Sequence, residues 1–331
     1  MDIREIDPHD ERLVRRFWEI GQAAEDAYRV VDMFWPWESA WAMLTSTSAT
    51  SKAVLLGAFD AAAMCGTAMV DLPLRDNTHL ANAEVYVDPP RQRRGVGRAL
   101  LGAVEDVARR HGRRTLVVDA SAPVGADSAG LAFGRAMGFT EAIEEGTKTV
   151  DLPATEHLWD DLADEAAPHH RDYSIVTWVG PVPPEYVAGY CTLEAAFVDE
   201  APMGELEVEA EVWDEQRLRD RERRTYAAGR RDIATIALDR RGEVVGSSLV
   251  FVNEHKLALG FQSGTLVMPG HRGHRLGMAM KVDNQRAVRK HFPECHTILT
   301  GNATVNAAMN AINDRLGFRV VERGVELQKA L

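Results

Sequence analysis

The chain has 331 residues, 45% hydrophobic and 27% charged, the balance of an ordinary globular protein of about two domains. Its formal charge of −12 argues against a general nucleic-acid binder. Cys65, Cys191 and Cys295 stand far apart with no Cys-x-x-Cys pair, which argues against a disulfide framework or zinc site and for a reducing compartment. Residues 2–6 read as a strand. A helix from Asp10 to about Val31 carries Leu13, Val14, Phe17, Ile20 and Ala24 on one face. Phe34-Trp35-Pro36-Trp37 breaks it, as a core plug or as an aromatic lip for a substrate. A second helix is expected over 38–45, and strands over 53–59, 64–72 and 83–87. A glycine turn, a helix over 96–110 ending at His111-Gly112, a strand over 116–120 and a helix over 128–137 closed by Gly138-Phe139 follow. The strand over 147–152 is expected to end this half.

Residues 153–172 are acidic and interrupted by Pro168-His169-His170, which suits a linker with one short helix. From 173 the pattern restarts: a strand over 173–179, helices over 184–197 and 211–228, and strands over 233–239, 244–253 and 262–268. A second glycine turn, a helix to about 290, a strand over 298–300 and a helix over 305–316 closed by Gly317-Phe318 lead to a final strand over 322–327. Gly97 and Gly277 differ by 180, as do Pro89 and Pro269, and Val87 and Val267; Gly138 and Gly317 differ by 179. One offset held across these landmarks implies duplication. The expected domains are 1–152 and 173–331, joined by a linker over 153–172.

The chemistry concentrates at Glu84-Val-Tyr-Val-Asp-Pro-Pro-Arg-Gln-Arg-Arg-Gly-Val-Gly-Arg98. Strand, glycine turn and helix leave unpaired N–H groups at a helix N-terminus. Gly95 and Gly97 allow tight dihedrals and close approach, and Arg91, Arg93, Arg94 and Arg98 surround the spot with positive charge. Such a device holds a pyrophosphate. It is not a nucleoside-triphosphate loop, because Gly97 is followed by Arg98-Ala99-Leu100 rather than Lys-Ser/Thr. Nor does it fit a dinucleotide fingerprint, which belongs near the start of a βαβ unit.

Gln92-Arg-Arg-Gly95-Val-Gly97 resembles the Gln/Arg-x-x-Gly-x-Gly/Ala signature of the acyl-CoA N-acyltransferases, the GNAT superfamily, and the duplication resembles the actinobacterial two-domain GNAT proteins. The resemblance implies an α/β (α+β) fold of two tandem GNAT-like domains. Each would be a mixed, mostly antiparallel sheet flanked by helices, with a splayed strand pair for CoA. It implies acetyl-CoA as cofactor, with backbone groups of Val85, Tyr86 and Val87 beside pantetheine, and Gln92, Arg93, Arg94, Gly95, Val96, Gly97 and Arg98 around the pyrophosphate. In the second copy the corresponding set is Thr265, Leu266 and Val267, then Arg272, Gly273, His274, Arg275, Leu276 and Gly277, with Asn302 and Asn306 resembling the family's cofactor-contacting asparagine segment. Arg275 stands where Gly95 does, which would weaken that cradle. The family often places a catalytic glutamate on the strand entering the turn, which implies Glu84 as base; its counterpart is Gly264. The family's thiolate-protonating tyrosine falls on Gly134 and Asn313, so neither half has it.

An alkyl ammonium must lose a proton before it can attack a thioester. The expectation is an N-acetyltransferase that moves an acetyl group from acetyl-CoA to a primary amine of a small molecule by direct attack in a ternary complex, with no metal. Peptide or protein N-acetylation and a non-catalytic acyl-CoA sensor stay open. With no apolar leader and no run of the ~20 residues a membrane span needs, a cytoplasmic protein without membrane or nucleic-acid partners is expected.

Overall fold

In the computed structural model, which describes residues 1–331, β1 (Asp2–Ile6) leads into α1 (Glu11–Asp26) and α2 (Trp37–Thr45). The Asp10 carboxylate caps α1 by accepting from Leu13 N at 3.0 Å. The helix ends five residues before the expected Val31, leaving 27–36 as a loop. Then β2 (Ser51–Asp60), β3 (Ala63–Pro73) and β4 (Leu80–Val87) follow, and β1 to β4 pair antiparallel in chain order. Helix α3 (Val96–Arg110) lays Val96, Leu100, Leu101, Val104 and Val107 on Leu56, Val70, Leu72 and Ala83 of this sheet. Each such side chain contributes about 1.5–3 kcal/mol on burial. Gly66 lets the helix sit that close, since a Cβ there would lie 2.8 Å from Val96 Cγ1. The half continues with β5 (Thr115–Pro123), α4 (Ala129–Ala136) and β6 (Thr140–Asp151).

The second half carries α5 (Leu152–Thr155), α6 (Trp159–Ala166), β7 (Ser174–Val179), α7 (Val187–Glu200) and α8 (Glu215–Ala227). It ends with β8 (Arg230–Leu238), β9 (Val244–Asn253), β10 (Lys256–Val267), α9 (Leu276–His291), β11 (Thr297–Ala303), α10 (Ala307–Arg315) and β12 (Arg319–Ala330). Strands β7 to β10 again pair antiparallel in order. The expected linker over 153–172 is not a free connection. Trp159, Leu162 and Ala166 of α6 are buried with Val282, Val288 and Phe318 in the second core, because the helix has its own apolar face.

Two compact units result, and they do not follow the halves of the chain. The first is Met1–Glu144 with Met203–Glu209 and Val321–Leu331; the second is Glu145–Pro202 with Ala210–Val320. Their last strands are exchanged. In the first unit β5 pairs antiparallel with β12, from Thr115 opposite Ala330 to Pro123 opposite Glu322, and Val325 and Leu327 enter its core. In the second unit β11 pairs antiparallel with β6, from Thr297 opposite Asp151 to Ala303 opposite Glu145. The strands expected over 147–152 and 322–327 therefore each extend further than expected and serve the other half's sheet. Local patterning could not reveal this, because both strands alternate alike and either could close either sheet.

Candidate acyl-transfer site

In the first unit β4 and β5 run parallel and pair only from Leu80–Thr115 to Ala83–Val118. Beyond that β4 stays paired with β3 as far as Val87, so the β5-facing edge of Glu84 to Val87 has no strand partner. Buried strands rarely leave backbone groups unpaired, and this splay is where an extended chain would pair. The turn that follows holds Arg93 (φ +61°) and Gly95 (φ +85°) left-handed and delivers the free N–H groups of α3 at Val96. Arg93, Arg94 and Arg98 are exposed and make no ion pair, whereas Arg91 lies 3.2 Å from Asp60. Two sequence readings change in detail. Gln92 braces the turn: its Nε2 donates to Val87 O at 3.2 Å and its Oε1 accepts from the Tyr28 hydroxyl at 2.7 Å. Gly97 has no left-handed φ, and a Cβ there would make only ordinary contact with Phe133 and Val87.

Glu84 stands where the strands part. Its side chain is exposed at the open mouth of the crevice, with protein packed densely around the rest of the carboxyl. That desolvation, joined by the Asp119, Glu25 and Asp71 carboxylates, pushes its carboxyl up to about 7, against the pull of a Tyr86 hydrogen bond. Desolvation also raises Asp119 on the facing strand and Glu25 on α1, with Arg29 opposing both. Tyr86 reaches Glu25 as well as Glu84, and desolvation beside both carboxylates holds its phenol well above the ordinary range. One hydroxyl proton can serve one carboxylate at a time, so Tyr86 stays a neutral donor shared between two acids. The one cation in the cluster, Arg29, is committed to Glu322 (Nε to Oε2, 2.8 Å) and lies 3.5 Å from Glu25. Phe34 meets Tyr86 edge-on at 5.8 Å and Trp37 stacks on Trp41, so both are packing residues, while Trp35 stays exposed.

Of this cluster, sequence reasoning found Glu84 and only the backbone of Tyr86. Asp119 left a signal, a carboxylate interrupting the apolar run Leu116-Val117-Val118. Glu322 left none, because only the strand exchange brings it here.

The second unit repeats the scaffold with different contents. Strands β10 and β11 pair in parallel from Leu259–Thr297 to Phe261–Leu299 and then part. The left-handed pair recurs at Gly273 (φ +84°) and Arg275 (φ +54°), with glycine and arginine interchanged relative to Arg93 and Gly95. Arg272 braces the turn as Gln92 does, donating to Val267 O at 3.0 Å. Its guanidinium also binds Glu200 at 2.6 Å, while Arg275 and Arg315 both bind Glu165. His274 Nδ1 lies 3.0 Å from His169 O. Asn306 caps α10 through Met309 N, and the Asn302 carbonyl accepts from Asn313, which in turn accepts from buried Lys281. A β-bulge between Gln262 and Thr265 replaces Glu84, and a Cβ at Gly264 would fall 2.7 Å from the Phe197 ring. At the tyrosine positions, Gly134 lies under Leu327 and Asn313 is buried.

The splay, bare helix N-terminus and unpaired guanidinium groups of the first unit fit a nucleotide-bearing thioester. Residues 16–139 match the acetyltransferase (GNAT) family. Over 99% of its length the chain is similar to a tandem GNAT protein from the clavulanic acid biosynthesis pathway, with 25% identity, 98% of that chain covered and a TM-score of 0.80. It shares its fold with a GCN5-related N-acetyltransferase from Sphaerobacter thermophilus (16% identity, 99% and 95% of the two chains, TM-score 0.66). The same holds for a putative acetyltransferase from Pyrococcus horikoshii (14%, 100% and 89%, 0.58). No curated protein matches the sequence. No helix is long and apolar enough to cross a membrane. A glycine-turn scaffold built twice, with the family match over the first copy, makes residues 16–139 an acetyltransferase (GNAT) region, of a family that uses acetyl-CoA, within a chain similar throughout to a tandem GNAT protein.

Proposed function

We propose that the first unit transfers the acetyl group of acetyl-CoA to a primary amine of a small molecule by direct attack. The observation that carries this is Glu84, a carboxyl near pKa 7 at the point where β4 and β5 separate. A carboxyl raised this far titrates near neutral pH, where general-base catalysis is most effective. Acetyl-CoA supplies an activated carbonyl. The free edge of Val85 to Val87 aligns its pantetheine arm, and Arg93, Arg94, Arg98 and the N–H groups from Gly95 to Gly97 hold its pyrophosphate. Glu84 takes the proton from the acceptor ammonium. Glu25 and Asp119, uncompensated by further cations, draw that ammonium in. Tyr86 steadies whichever carboxylate is ionised. The second unit lacks a carboxylate at this place and is the structural partner.

The test is CoA release from acetyl-CoA with a panel of primary amines. Turnover above hydrolysis that falls about 100-fold in Glu84→Gln, within the usual range for a lost general base, supports the reading. Full activity in that variant removes Glu84 as base. Saturable acetyl-CoA binding without turnover makes the protein a sensor, and turnover only with peptide N-termini makes it a peptide acetyltransferase.

A further inference from the structure

We infer that Glu322, delivered by the exchanged strand β12, is the positioning residue that holds the 27–36 loop beside the acceptor side of the first unit's crevice. The inference rests on that unit being the acyl-transfer unit. Glu322 is 2% exposed, and everything it binds lies on this loop. Its Oε1 accepts from Val30 N and, at 3.4 Å, from Val31 N, while Oε2 pairs with Arg29 Nε at 2.8 Å. Two consecutive backbone donors bind one oxygen of the buried carboxylate and the Arg29 guanidinium neutralises the other as an ion pair, together forming a clamp.

What the clamp fixes is the wall of the site. Tyr28 reaches the Gln92 brace of the cofactor turn. Arg29 opposes the raised carboxyls of Glu25 and Asp119. Phe34 packs on Tyr86, whose phenol lies close enough to Glu84 to lower the pKa of its carboxyl. The loop is also held at its ends, by Tyr28 on Gln92 at 2.7 Å and by the Trp18 indole donating to Trp35 O at 2.7 Å, and Glu322 is the buried charge that fixes Arg29, Val30 and Val31 between them. Loss of the carboxylate would loosen the loop while Gln92 keeps its own bond to Val87 O, so the turn stays braced and the β4–β5 splay is unchanged. Acceptor binding depends on Glu322, and acetyl-CoA binding does not.

The experiment combines amide hydrogen exchange with steady-state rates, using spermidine and tyramine as probe amines. Glu322→Ala is expected to speed exchange over 28–36 about tenfold or more, the size expected for lost hydrogen bonds to a charged group. It should raise KM for the amine about fivefold or more while acetyl-CoA affinity stays within about twofold. Glu322→Gln keeps an acceptor for Val30 N but not the charge for Arg29, so it should fall between and serves if the alanine variant does not fold. Arg323→Ala, the neighbour on β12 that binds Glu144 at 2.9 Å, should leave loop exchange unchanged. Unchanged exchange in Glu322→Ala overturns the inference, as does faster exchange with unaltered amine KM. Equal loosening by Arg323→Ala would reduce Glu322 to a general contributor to strand pairing. If the wild type turns over neither amine, the acyl-transfer reading fails, and the exchange result still decides whether Glu322 anchors the loop.

Discussion

The two units share a backbone plan and differ in how charge is used on it. Each has a splayed parallel strand pair, a left-handed pair of residues in the turn and a helix entering behind it. In the first, the turn's guanidinium groups are largely free and the crevice acids share a single cation, Arg29. In the second, Arg272 and Arg275 are already bound to Glu200 and Glu165, and the Phe197 ring covers Gly264, the position matching Glu84. An unpaired charge at a mouth is available to a ligand, whereas a paired one must first be released. The fold alone is therefore silent on which copy works.

The largest expected effect is catalytic. Glu84→Gln should lower kcat about 100-fold, while Ser263→Ala, beside the matching Gly264 in the second unit, should change the rate less than about twofold; equal losses would break the contrast. Next comes cofactor affinity. Reversing charge at Arg93 and Arg94 together should weaken acetyl-CoA binding about tenfold or more by calorimetry. Arg275→Glu should matter far less, because Glu165 already neutralises that side chain.

A third test is pH. With Glu84 near 7, kcat/KM should climb with pH and level off above about 7, and the Gln variant should lose that rise. The sign for stability is opposite. A carboxyl whose folded pKa is raised binds more protons folded than unfolded, so stability falls as pH rises from the ordinary carboxylate range through 7. Glu84→Gln should accordingly raise the melting temperature relative to wild type at pH 8 and not at pH 4. A greater gain at pH 4 would place the desolvated charge elsewhere. The smallest effect concerns the interchanged turn residues. Gly95→Ala should cost about 1 kcal/mol in the first unit, and Arg93→Gly should recover a similar amount. Urea unfolding would check both.

Much of this plan was legible in the sequence because it is local. The glycine turn, the helix behind it and the 180-residue offset are read from neighbouring residues, and Glu84 follows from its place before the turn. What stayed hidden is non-local. Glu25 and Arg29 sit in an ordinary helical pattern, and only the fold sets them against Tyr86. Gln92 reads like a phosphate ligand until its partners Val87 O and Tyr28 are in place. Arg275 looked damaging to its turn, yet it adopts the same left-handed backbone as Gly95. The strain of about 1–2 kcal/mol is small enough for surrounding contacts to absorb.

The strand exchange also sets a timetable for biogenesis. During synthesis β5 emerges from the ribosome with one edge bare, and the strand that covers it, β12, is made after every other element. The nascent first half must wait, through the making of an entire second fold, with an open sheet edge of the kind that invites wrong pairing. Splitting the gene between the repeats would leave each product with its own last strand in place of the exchanged one. Duplication here has yielded two folds that each take their closing strand from the other half of one polypeptide.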